Sequence, residues 1–373
     1  MKNKKIILWI ALMIAVIVTA NAQQYDPESD FKAELMQGGK SVRITAYRGE
    51  KWTVRIPPQI QGVPVTHIGE SAFYENKNIT NITIPNSVTT IEESAFEHCK
   101  RLNSITIPDS VTEIMNYAFS DINITNVVIP NSVIRIGSGV FHYCDSLTSV
   151  KIPNSVSSVG YGAFGYCTSL SAITVDTDNE AYTAVNGVLY NKDKSVLHTY
   201  PAGKKGSFTI PNGIITIEDS AFSGCKSLTT VTIPNSVTNI GESAFGSCES
   251  LKNIVIPNSV TVIKGYTFES CESLTNITIP NSVTNIGDFA FSSCRSLISI
   301  IIPNSVTKIG NYAFGNCYKL SSVTFQGTIT LDNFHQDTFD GNLRDVFYSA
   351  NANGTPGTYR TSNPGEYPKW QKM

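Results

Sequence analysis

Cysteine is the residue type in this chain whose placement most directly suggests chemistry. All eight cysteines recur at one position of a repeating pattern: Cys99, Cys144, Cys167, Cys225, Cys248, Cys271, Cys294 and Cys317. An even number of cysteines in an exported chain would ordinarily suggest disulfides. If the repeats stack, however, neighbouring Cβ vectors are parallel and about 4.8 Å apart, whereas a disulfide needs Cβ atoms about 3.8 Å apart that point towards each other. We therefore predict buried, unpaired thiols.

Carboxylates are the second candidate for chemistry. Glu70 and Glu93 occupy the same repeat position in adjacent repeats, three residues before a recurring phenylalanine, and so do Asp219 and Glu242. Stacking would bring each pair to a separation near that of the two carboxyl groups of a retaining glycosidase. Elsewhere this position holds Asn, Ser, Tyr or Gly, which is typical of a solvated turn, and no convergent partner groups accompany the pairs. We therefore predict that the protein is not an enzyme.

Metal and cofactor motifs are missing from the sequence. The histidines share no repeat position, no two of them have metal-ligand spacing, and there is no Cys-x-x-Cys. There is also no Ser-His-Asp set, phosphate-binding glycine loop or nucleotide-binding fingerprint. We therefore expect no metal and no cofactor.

A regular sequence repeat, with a period of about 23 residues in most copies, positions these side chains. The dipeptide Ile-Pro recurs with its proline at Pro57, Pro85, Pro108, Pro130, Pro153, Pro211, Pro234, Pro257, Pro280 and Pro303. In each unit, Leu-x-x-Ile-x-Ile has the period of a short strand with one face inward, which proline then ends. Asn-Ser provides a turn, and Val-x-x-Ile and Ala-Phe direct further apolar groups inward. Since one unit cannot bury its own apolar side, about eleven rungs should stack into a rod or arc about 50 Å long.

The full pattern, Leu-x-x-Ile-x-Ile-Pro-x-Ser-Val-x-x-Ile-x-x-x-Ala-Phe-x-x-Cys, resembles the leucine-rich repeat of BspA-like bacterial surface proteins over roughly residues 40 to 326. The departures are mild, since the Cys is missing from the copies carrying Asn76 and Ile122, and Val140 and Thr267 replace the alanine. The resemblance implies a β-dominated leucine-rich-repeat solenoid, with parallel strands stacked rung on rung, little helix and the sheet on the concave side. It also implies adhesion to host or neighbouring-cell proteins, although proteins that contain such repeats share a fold more reliably than they share a function.

Six segments follow from the repeat and its interruptions: a signal peptide at 1–22, an N-terminal cap and first strand at 23–56, repeats at 57–175, a β-hairpin insertion at 176–206, repeats at 207–326, and a C-terminal cap and tail at 327–373. The insertion is interpreted as a packing decoration, with a functional loop as the alternative. From Tyr348 the chain is rich in Asn, Gly, Pro, Thr and Ser, which predicts a tail or a weakly packed extension around Trp370.

Charge and the leader indicate where the protein acts. Lys2, Lys4 and Lys5 precede an apolar run from Ile6 to Val18, and Ala20-Asn21-Ala22 is a small-x-small cleavage pattern. This predicts export to the cell surface or the extracellular space, with no membrane span after cleavage; an uncleaved anchor is the alternative. Without the three leader lysines, 25 basic residues face 30 acidic ones, a net charge of −5. This balance argues against nucleic acid as the main partner.

The outward positions of the strands are predicted as the binding face. They lie four and two residues before each Ile-Pro proline, and only one of eighteen is charged. The residues selected from them are Thr83, Thr106, Lys151, Thr209, Thr232, Asn253, Asn276 and Thr278. Such a face suits many neutral hydrogen bonds better than a steered ionic partner. The alternative is that short β-forming residues simply keep the sheet soluble.

A second stripe lies two residues before the inner phenylalanine, where Tyr266, Phe289 and Tyr312 occur in consecutive repeats. We call these three residues the aromatic ridge. Stacked rings would give an apolar ridge that could serve as a protein hot spot or a sugar platform, with ordinary packing between rungs as the alternative. The sequence therefore predicts a non-enzymatic protein that binds a host, matrix or neighbouring-cell protein. The alternative is a glycan-binding module for carbohydrate capture.

Overall fold

The protein forms a β-solenoid of about 12 turns with almost no helix, as expected from the repeat. The structure, a computed structural model, describes residues 25–373. The predicted signal peptide therefore lies outside the described residues. No helix among residues 25–373 is long and apolar enough to cross a membrane.

One row of strands, which we call the Ile-Pro ladder, comes from the Leu-x-x-Ile-x-Ile segments. Its members are β3 (Thr53–Arg55), β6 (Asn81–Thr83), β8 (Ser104–Thr106), β11 (Ser149–Ile152), β13 (Ala172–Val175), β17 (Gly206–Thr209), β19 (Leu228–Thr232), β21 (Asn253–Ile254), β24 (Ser299–Ile302) and β26 (Ser322–Phe325). Pairing is parallel, and Asn81 lies opposite Ser104, the equivalent residue of the next repeat. The isoleucines at the recurring inward positions, such as Ile82 and Ile300, face the core, because side chains alternate along a strand.

A second row of strands, which the sequence interpretation described only as inward-facing positions, comes from the Val-x-x-Ile segments. We call it the Val ladder; it contains β2 (Val42–Tyr47), β5 (Val63–Ile68), β7 (Thr90–Ile91), β9 (Glu113–Ile114), β10 (Arg135–Ile136), β12 (Ser158–Val159), β16 (Val196–Thr199), β18 (Thr216–Ile217), β20 (Asn239–Ile240), β22 (Val262–Ile263), β23 (Asn285–Ile286) and β25 (Lys308–Ile309). Most of these strands have only two residues, too short for a visible period in the sequence. In the rungs where glycine follows the strand, packing leaves no room for a side chain: a Cβ on Gly241 would meet the backbone nitrogen of Asp219 at 2.3 Å.

Phenylalanines form a continuous column inside each block of repeats. The column contains Phe73, Phe96, Phe119, Phe141 and Phe164 in the first block, and Phe222, Phe245, Phe268, Phe291, Phe314 and Phe339 in the second. Centroids of neighbouring rings are 4.7 to 5.7 Å apart and the rings are nearly parallel. Equivalent rings stack because the rungs repeat at the spacing of a parallel sheet.

The serine of Asn-Ser does more than make a turn. The hydroxyl of Ser236 donates to the carbonyl oxygen of Ile214 at 2.7 Å, and Ser282 donates to Val260 at the same distance. Each bond joins one rung to the rung before it. The bond is not made in every copy, because the hydroxyls of Ser132 and Ser305 at the same position are buried without a partner.

The insertion has three strands, β14 (Tyr182–Val185), β15 (Val188–Asn191) and β16, which form an antiparallel meander, one strand more than the expected hairpin. β16 then pairs in parallel with β18 and so enters the Val ladder. Asn179, which is fully buried, anchors the insertion to the preceding turn. Its amide nitrogen donates to the carbonyl oxygens of Pro153 and Val156, and its amide oxygen accepts from the N–H groups of Ala181 and Tyr182.

The insertion also closes a break in the Val ladder. Val159, the last residue of β12, donates its N–H to the hydroxyl of Tyr182 at 2.8 Å, and its carbonyl oxygen accepts from Nε2 of His198 at 3.0 Å. Two side chains of the insertion thus replace the backbone partners that a regular rung would provide. The same insertion separates the buried apolar residues into two clusters.

The first turns are covered by a short 3₁₀ helix at Glu28–Asp30 and by β1 (Phe31–Leu35), which pairs antiparallel with β2. A hairpin of β4 (Gln59–Ile60) with β5 accounts for the longer interval between Pro57 and Pro85. The carboxylate of Asp26 accepts from the N–H of Arg55 at 2.8 Å on the outer side of β3. These contacts provide partners for the first rung, as a cap must.

The C-terminal segment differs from the predicted weakly packed tail. After a 3₁₀ helix (Leu331–Asn333) and α1 (Leu343–Tyr348), the chain returns so that β27 (Gly357–Arg360) pairs antiparallel with β26, and β28 (Gln371–Lys372) pairs with β27. Tyr359 and Trp370 are buried in the core. The polar composition hid this cap because its buried rings, such as Phe347, Tyr359 and Trp370, have no regular spacing in the sequence.

Candidate functional site

The predicted binding residues all point away from the core. All are exposed: Thr83, Thr106, Lys151, Thr209, Thr232 and Asn253 lie on the Ile-Pro ladder, and Asn276 and Thr278 lie in the equivalent segment of the next rung, where Thr278 forms an isolated bridge with Val255. Thr83 lies opposite Thr106, and Thr209 opposite Thr232, in neighbouring parallel strands. The outward side chains of this ladder therefore form rows, spaced by about 4.8 Å along the solenoid. We call this surface the strand face.

The strand face offers little net charge to a partner. Its selected residue with a charge, Lys151, pairs with Asp176 at 2.6 Å between Nζ and Oδ1. Threonine hydroxyls and asparagine amides make up the rest of the selected set, and both groups donate as well as accept hydrogen bonds. Such a surface can recognise a partner through many neutral contacts.

The same face also carries exposed apolar side chains, which were not among the residues selected from the sequence. Val128, Val255 and Ile301 leave 79%, 72% and 53% of their surface exposed, although each lies among threonines and asparagines. Val255 pairs with Thr278 in the next rung, and Ile301 occupies the equivalent position one rung further on. A shallow depression of about 320 Å³ is lined here by Asn276, Thr278 and Ile301. High exposure of β-branched apolar residues on one face is typical of an interaction site.

The aromatic ridge exists as a stack of rings. Tyr266 and Phe289 have centroids 4.9 Å apart at an interplanar angle of 5°, and Phe289 and Tyr312 are 5.3 Å apart at 22°. All three have positive φ, between 48° and 55°, which is strained for a bulky residue. Because each ring lies against the next, the ridge presents mainly ring edges. The two end rings, Tyr266 and Tyr312, each have one face against which no second aromatic ring packs among the described residues.

A second aromatic cluster was not singled out from the sequence. Tyr117, His142, Tyr143 and Tyr166 pack together, with centroids from 4.4 to 6.4 Å apart. Burial lowers the pKa of His142 to about 4 and raises that of Tyr166 to about 12. The hydroxyls of Tyr166 and Ser247 lie 3.0 Å apart, across the insertion. Through this contact the cluster joins the two repeat blocks. The sequence did not reveal the cluster because its members do not occupy equivalent repeat positions.

Of the four paired carboxylates, that of Asp219 caps a backbone group of the next rung, as Asp288 and Asn116 do at the same repeat position. Oδ1 of Asp219 accepts from the N–H of Glu242 at 2.8 Å, and Oδ1 of Asp288 accepts from the N–H of Asn311 at 2.7 Å. Asn116 makes the same bond to the next rung. A side-chain oxygen at this position therefore provides a partner for the following turn, which accounts for Asp and Asn here without chemistry on a substrate.

The cysteines are free and buried, as predicted. Each thiol donates to a carbonyl oxygen of the preceding turn, as in Cys271 to Phe245 at 3.3 Å. Burial raises the pKa of Cys99 and of Cys144 to about 12, so these thiols are poor nucleophiles. Within residues 25–373 no group of three or more His, Cys, Asp or Glu residues is arranged to hold a metal ion.

Comparison with known proteins places this geometry in a family. The model of the BspA type leucine rich repeat region (6 copies) matches residues 66–185, 202–321 and 239–353. No match was found among curated proteins.

Two solved bacterial structures are similar. A leucine rich cell surface protein from Faecalibacterium prausnitzii is 32% identical, with 83% of this chain and 96% of that chain covered and a TM-score of 0.57. A leucine-rich repeat protein from Eubacterium ventriosum is 28% identical, with 79% and 88% covered and a TM-score of 0.61.

The pneumococcal vaccine antigen PcpA, at 21% identity and a TM-score of 0.65 over 87% of this chain and 95% of that chain, shares the fold. The family match spans well over half of the chain, and the repeat, the two ladders and the phenylalanine column agree with it. The chain therefore belongs to the BspA-type leucine-rich-repeat family.

Proposed function

We propose that this chain is an exported, non-enzymatic protein of the bacterial cell surface that binds a protein partner through its strand face. The partner would belong to a host, to the extracellular matrix or to a neighbouring cell. The observation that carries the proposal is the exposure of Val255 and Ile301 beside Thr278, in rungs whose other outward groups are uncharged. The similarity to a protein described as a cell surface protein supports the location.

The arrangement resembles the energetic layout of protein interfaces. Apolar anchors near the centre of a contact provide most of its binding energy, while surrounding polar groups exclude water and fix orientation. Here Val255 and Ile301 would be the anchors, and Thr232, Asn276 and Thr278 the surrounding groups. A long row of rungs also allows an interface of about 800 Å² per partner, the usual size, without any deep pocket.

A binding assay with charged variants tests this proposal. The chain from Gln23 onwards would be passed over immobilised collagen, laminin and fibronectin, with the double variant Val255→Asp/Ile301→Asp run in parallel. We expect at least one matrix protein to bind the parent, and the double variant to lose about tenfold or more in affinity, since two buried charges would replace two anchors.

Ile215→Asp is the matched control, because Ile215 is also an exposed apolar residue but lies beside β18 of the Val ladder. It should bind like the parent. Equal losses in the control and the double variant, or unchanged binding in both, would exclude the strand face as the interface.

Glycan capture by the aromatic ridge, the other function suggested by the sequence, is favoured by one observation. This is the position of Tyr312, which has a stacked ring on one side only and lines a cavity at the end of the solenoid. Tyr266 and Phe289 would then act as supports that hold the Tyr312 ring in place.

A further inference from the structure

A cavity of about 790 Å³ lies between the last rung and the returning C-terminal segment. We call it the C-terminal cleft; its lining includes Tyr312, Asp337, Asn342, Glu366, Tyr367 and Lys369. Its volume lies within the range of small-molecule sites. It is separate from the strand face and does not depend on the protein-binding proposal.

The ring of Tyr312 forms an apolar wall of this cleft. Phe289 packs on one side of the ring, while the rest of the lining comes from later residues, 336 to 369. The parallel bridge between Phe314 and Phe339 sets the register of the last rung, so Asp337 takes the place that a further ring of the ridge would occupy. The second face of Tyr312 therefore meets no stacked ring from the next rung, and Tyr312 and Asp337 both line the cleft.

Tyr367 supplies a second ring at the rim. It is 84% exposed, the most exposed large apolar or aromatic side chain among the described residues. The chain on the C-terminal side of Tyr367 is anchored: Trp370 donates its backbone N–H to Oδ1 of Asn342 at 2.8 Å and its indole N–H to the carbonyl oxygen of Asp340 at 3.0 Å. An exposed aromatic ring next to an anchored wall costs little conformational entropy when a ligand binds.

The polar groups of the cleft combine acceptors and donors. Asp337 and Glu366 can accept hydrogen bonds, whereas the Lys369 ammonium and the Tyr367 hydroxyl can donate them. Asp340 is already engaged by backbone N–H groups of Asn316 and Cys317, and burial raises its pKa. The charged groups that remain for a ligand are two carboxylates and one ammonium, a net charge of −1.

An aromatic face surrounded by both acceptors and donors suits a ligand with an apolar face and many hydroxyls. A pyranose ring has this character, because its C–H groups can lie on a tyrosine while each hydroxyl both donates and accepts. A purely cationic ligand would use the rings and carboxylates but would be repelled by Lys369. An anionic sugar would be repelled by Asp337 and Glu366.

We propose that the C-terminal cleft binds a neutral pyranose unit of a glycan, with the second face of Tyr312 as the stacking surface and Tyr367 as the second ring. Asp337 and Glu366 accept from the sugar hydroxyls, and Lys369 donates to them. Phe289 and Tyr266 are positioning residues that hold Tyr312 through the ring stack.

Calorimetric titration in EDTA with four neutral oligosaccharides tests the site: cellotetraose, maltotetraose, xylotetraose and chitotetraose. We expect at least one to bind in the millimolar range or tighter. Tyr367→Ala and Tyr312→Ala should each weaken that binding about tenfold, whereas Tyr312→Trp should retain it because it keeps a stacking face. Tyr161→Ala, at an exposed tyrosine elsewhere on the solenoid, is the matched control and should bind like the parent.

Two further ligands test whether the cleft prefers a neutral sugar to an anionic or a cationic ligand. Sialyllactose, an anionic sugar, and a tetra-lysine peptide should bind more weakly than the preferred neutral sugar. No binding of any neutral sugar, equal binding by the parent and Tyr367→Ala, or preference for tetra-lysine would overturn the proposal. Tyr367→Ala removes an exposed side chain, so its result does not depend on whether Tyr312→Ala folds. Binding of the sugar by Val255→Asp/Ile301→Asp would separate this site from the strand face.

Discussion

The thiol of Cys248 donates a hydrogen bond to the carbonyl oxygen of Phe222, 3.3 Å away in the preceding turn. The equivalent bond recurs along the solenoid, with sulfur-to-oxygen distances of 3.0 Å for Cys167 to Phe141 and 3.2 Å for Cys294 to Phe268. The carbonyl of Phe222 also accepts from the N–H of Cys225, so the thiol engages its second lone pair. The cysteine column therefore links rungs, as well as filling space beside the phenylalanines.

Thiol labelling should report this arrangement. We expect iodoacetamide at pH 8 to modify none of the eight cysteines while the protein is folded, because burial raises thiol pKa and excludes the reagent. In guanidinium chloride all eight should be modified, as counted by mass spectrometry. Rapid labelling of a thiol in the folded protein, or a mass change on reduction that reveals a disulfide, would contradict the buried column.

Tyr182→Phe should weaken the junction between β12 and the insertion. The substitution keeps the ring but leaves the N–H of Val159 without its partner, which costs about 1–3 kcal/mol. Hydrogen exchange of the peptide that contains Val159 should accelerate, while exchange in the second repeat block stays unchanged. Tyr161→Phe serves as the control, since Tyr161 is exposed. Unaltered exchange at Val159 would show that the hydroxyl does not hold this amide.

Glu218→Gln should change how stability depends on pH. Burial, with a smaller effect of Asp219, raises the pKa of Glu218 to about 7. Between about pH 4.5 and 7 the folded protein thus keeps a proton that the unfolded chain loses, and stability falls as pH rises through this window.

Glutamine cannot ionise, so the free energy of unfolding of the variant should rise relative to that of the parent by about 1–2 kcal/mol between about pH 4.5 and 7. This is less than the full pKa shift implies, because solvent partly screens the carboxylate. His198, whose Nε2 lies 3.5 Å from Oε2 of Glu218, has a pKa lowered by burial, but it is present in both proteins and largely cancels in the difference. Urea unfolding at several pH values provides the measurement, with Glu242→Gln as an exposed control. Parallel stability curves for the parent and Glu218→Gln would refute the expected shift.

Tryptophan fluorescence should show that the C-terminal segment is packed. Trp52 is 66% exposed, whereas Trp370 is buried, and they are the tryptophans of residues 25–373. In Trp52→Phe, the remaining emission should be blue-shifted and resistant to acrylamide. Trp370→Ala should lower the stability of the C-terminal rungs by about 3–5 kcal/mol, as for other large core rings. Emission from Trp52→Phe that resembles free tryptophan would indicate a loose tail instead.

The repeat allowed much of this fold to be predicted from the sequence. The positions of Ile254, Phe268 and Cys271 in their unit were enough to predict which side chains point inward, because stacking places equivalent residues in columns. The outward threonines and asparagines of the strand face followed from the same alternation. The two-residue strands of the Val ladder did not, since a segment such as Asn239–Ile240 is too short to show a period.

What the sequence determined by itself is therefore everything that recurs from one repeat to the next: the solenoid, its inner columns and the row of outward groups. The tertiary structure decided the features made by residues without a regular spacing, namely the capping of Val159 by Tyr182 and His198, the return of Trp370 onto the last rung, and the place of Tyr312 in the lining of the C-terminal cleft. The physical reason is that periodicity reports only contacts between equivalent positions. Contacts between different positions depend on where the interrupted chain folds back.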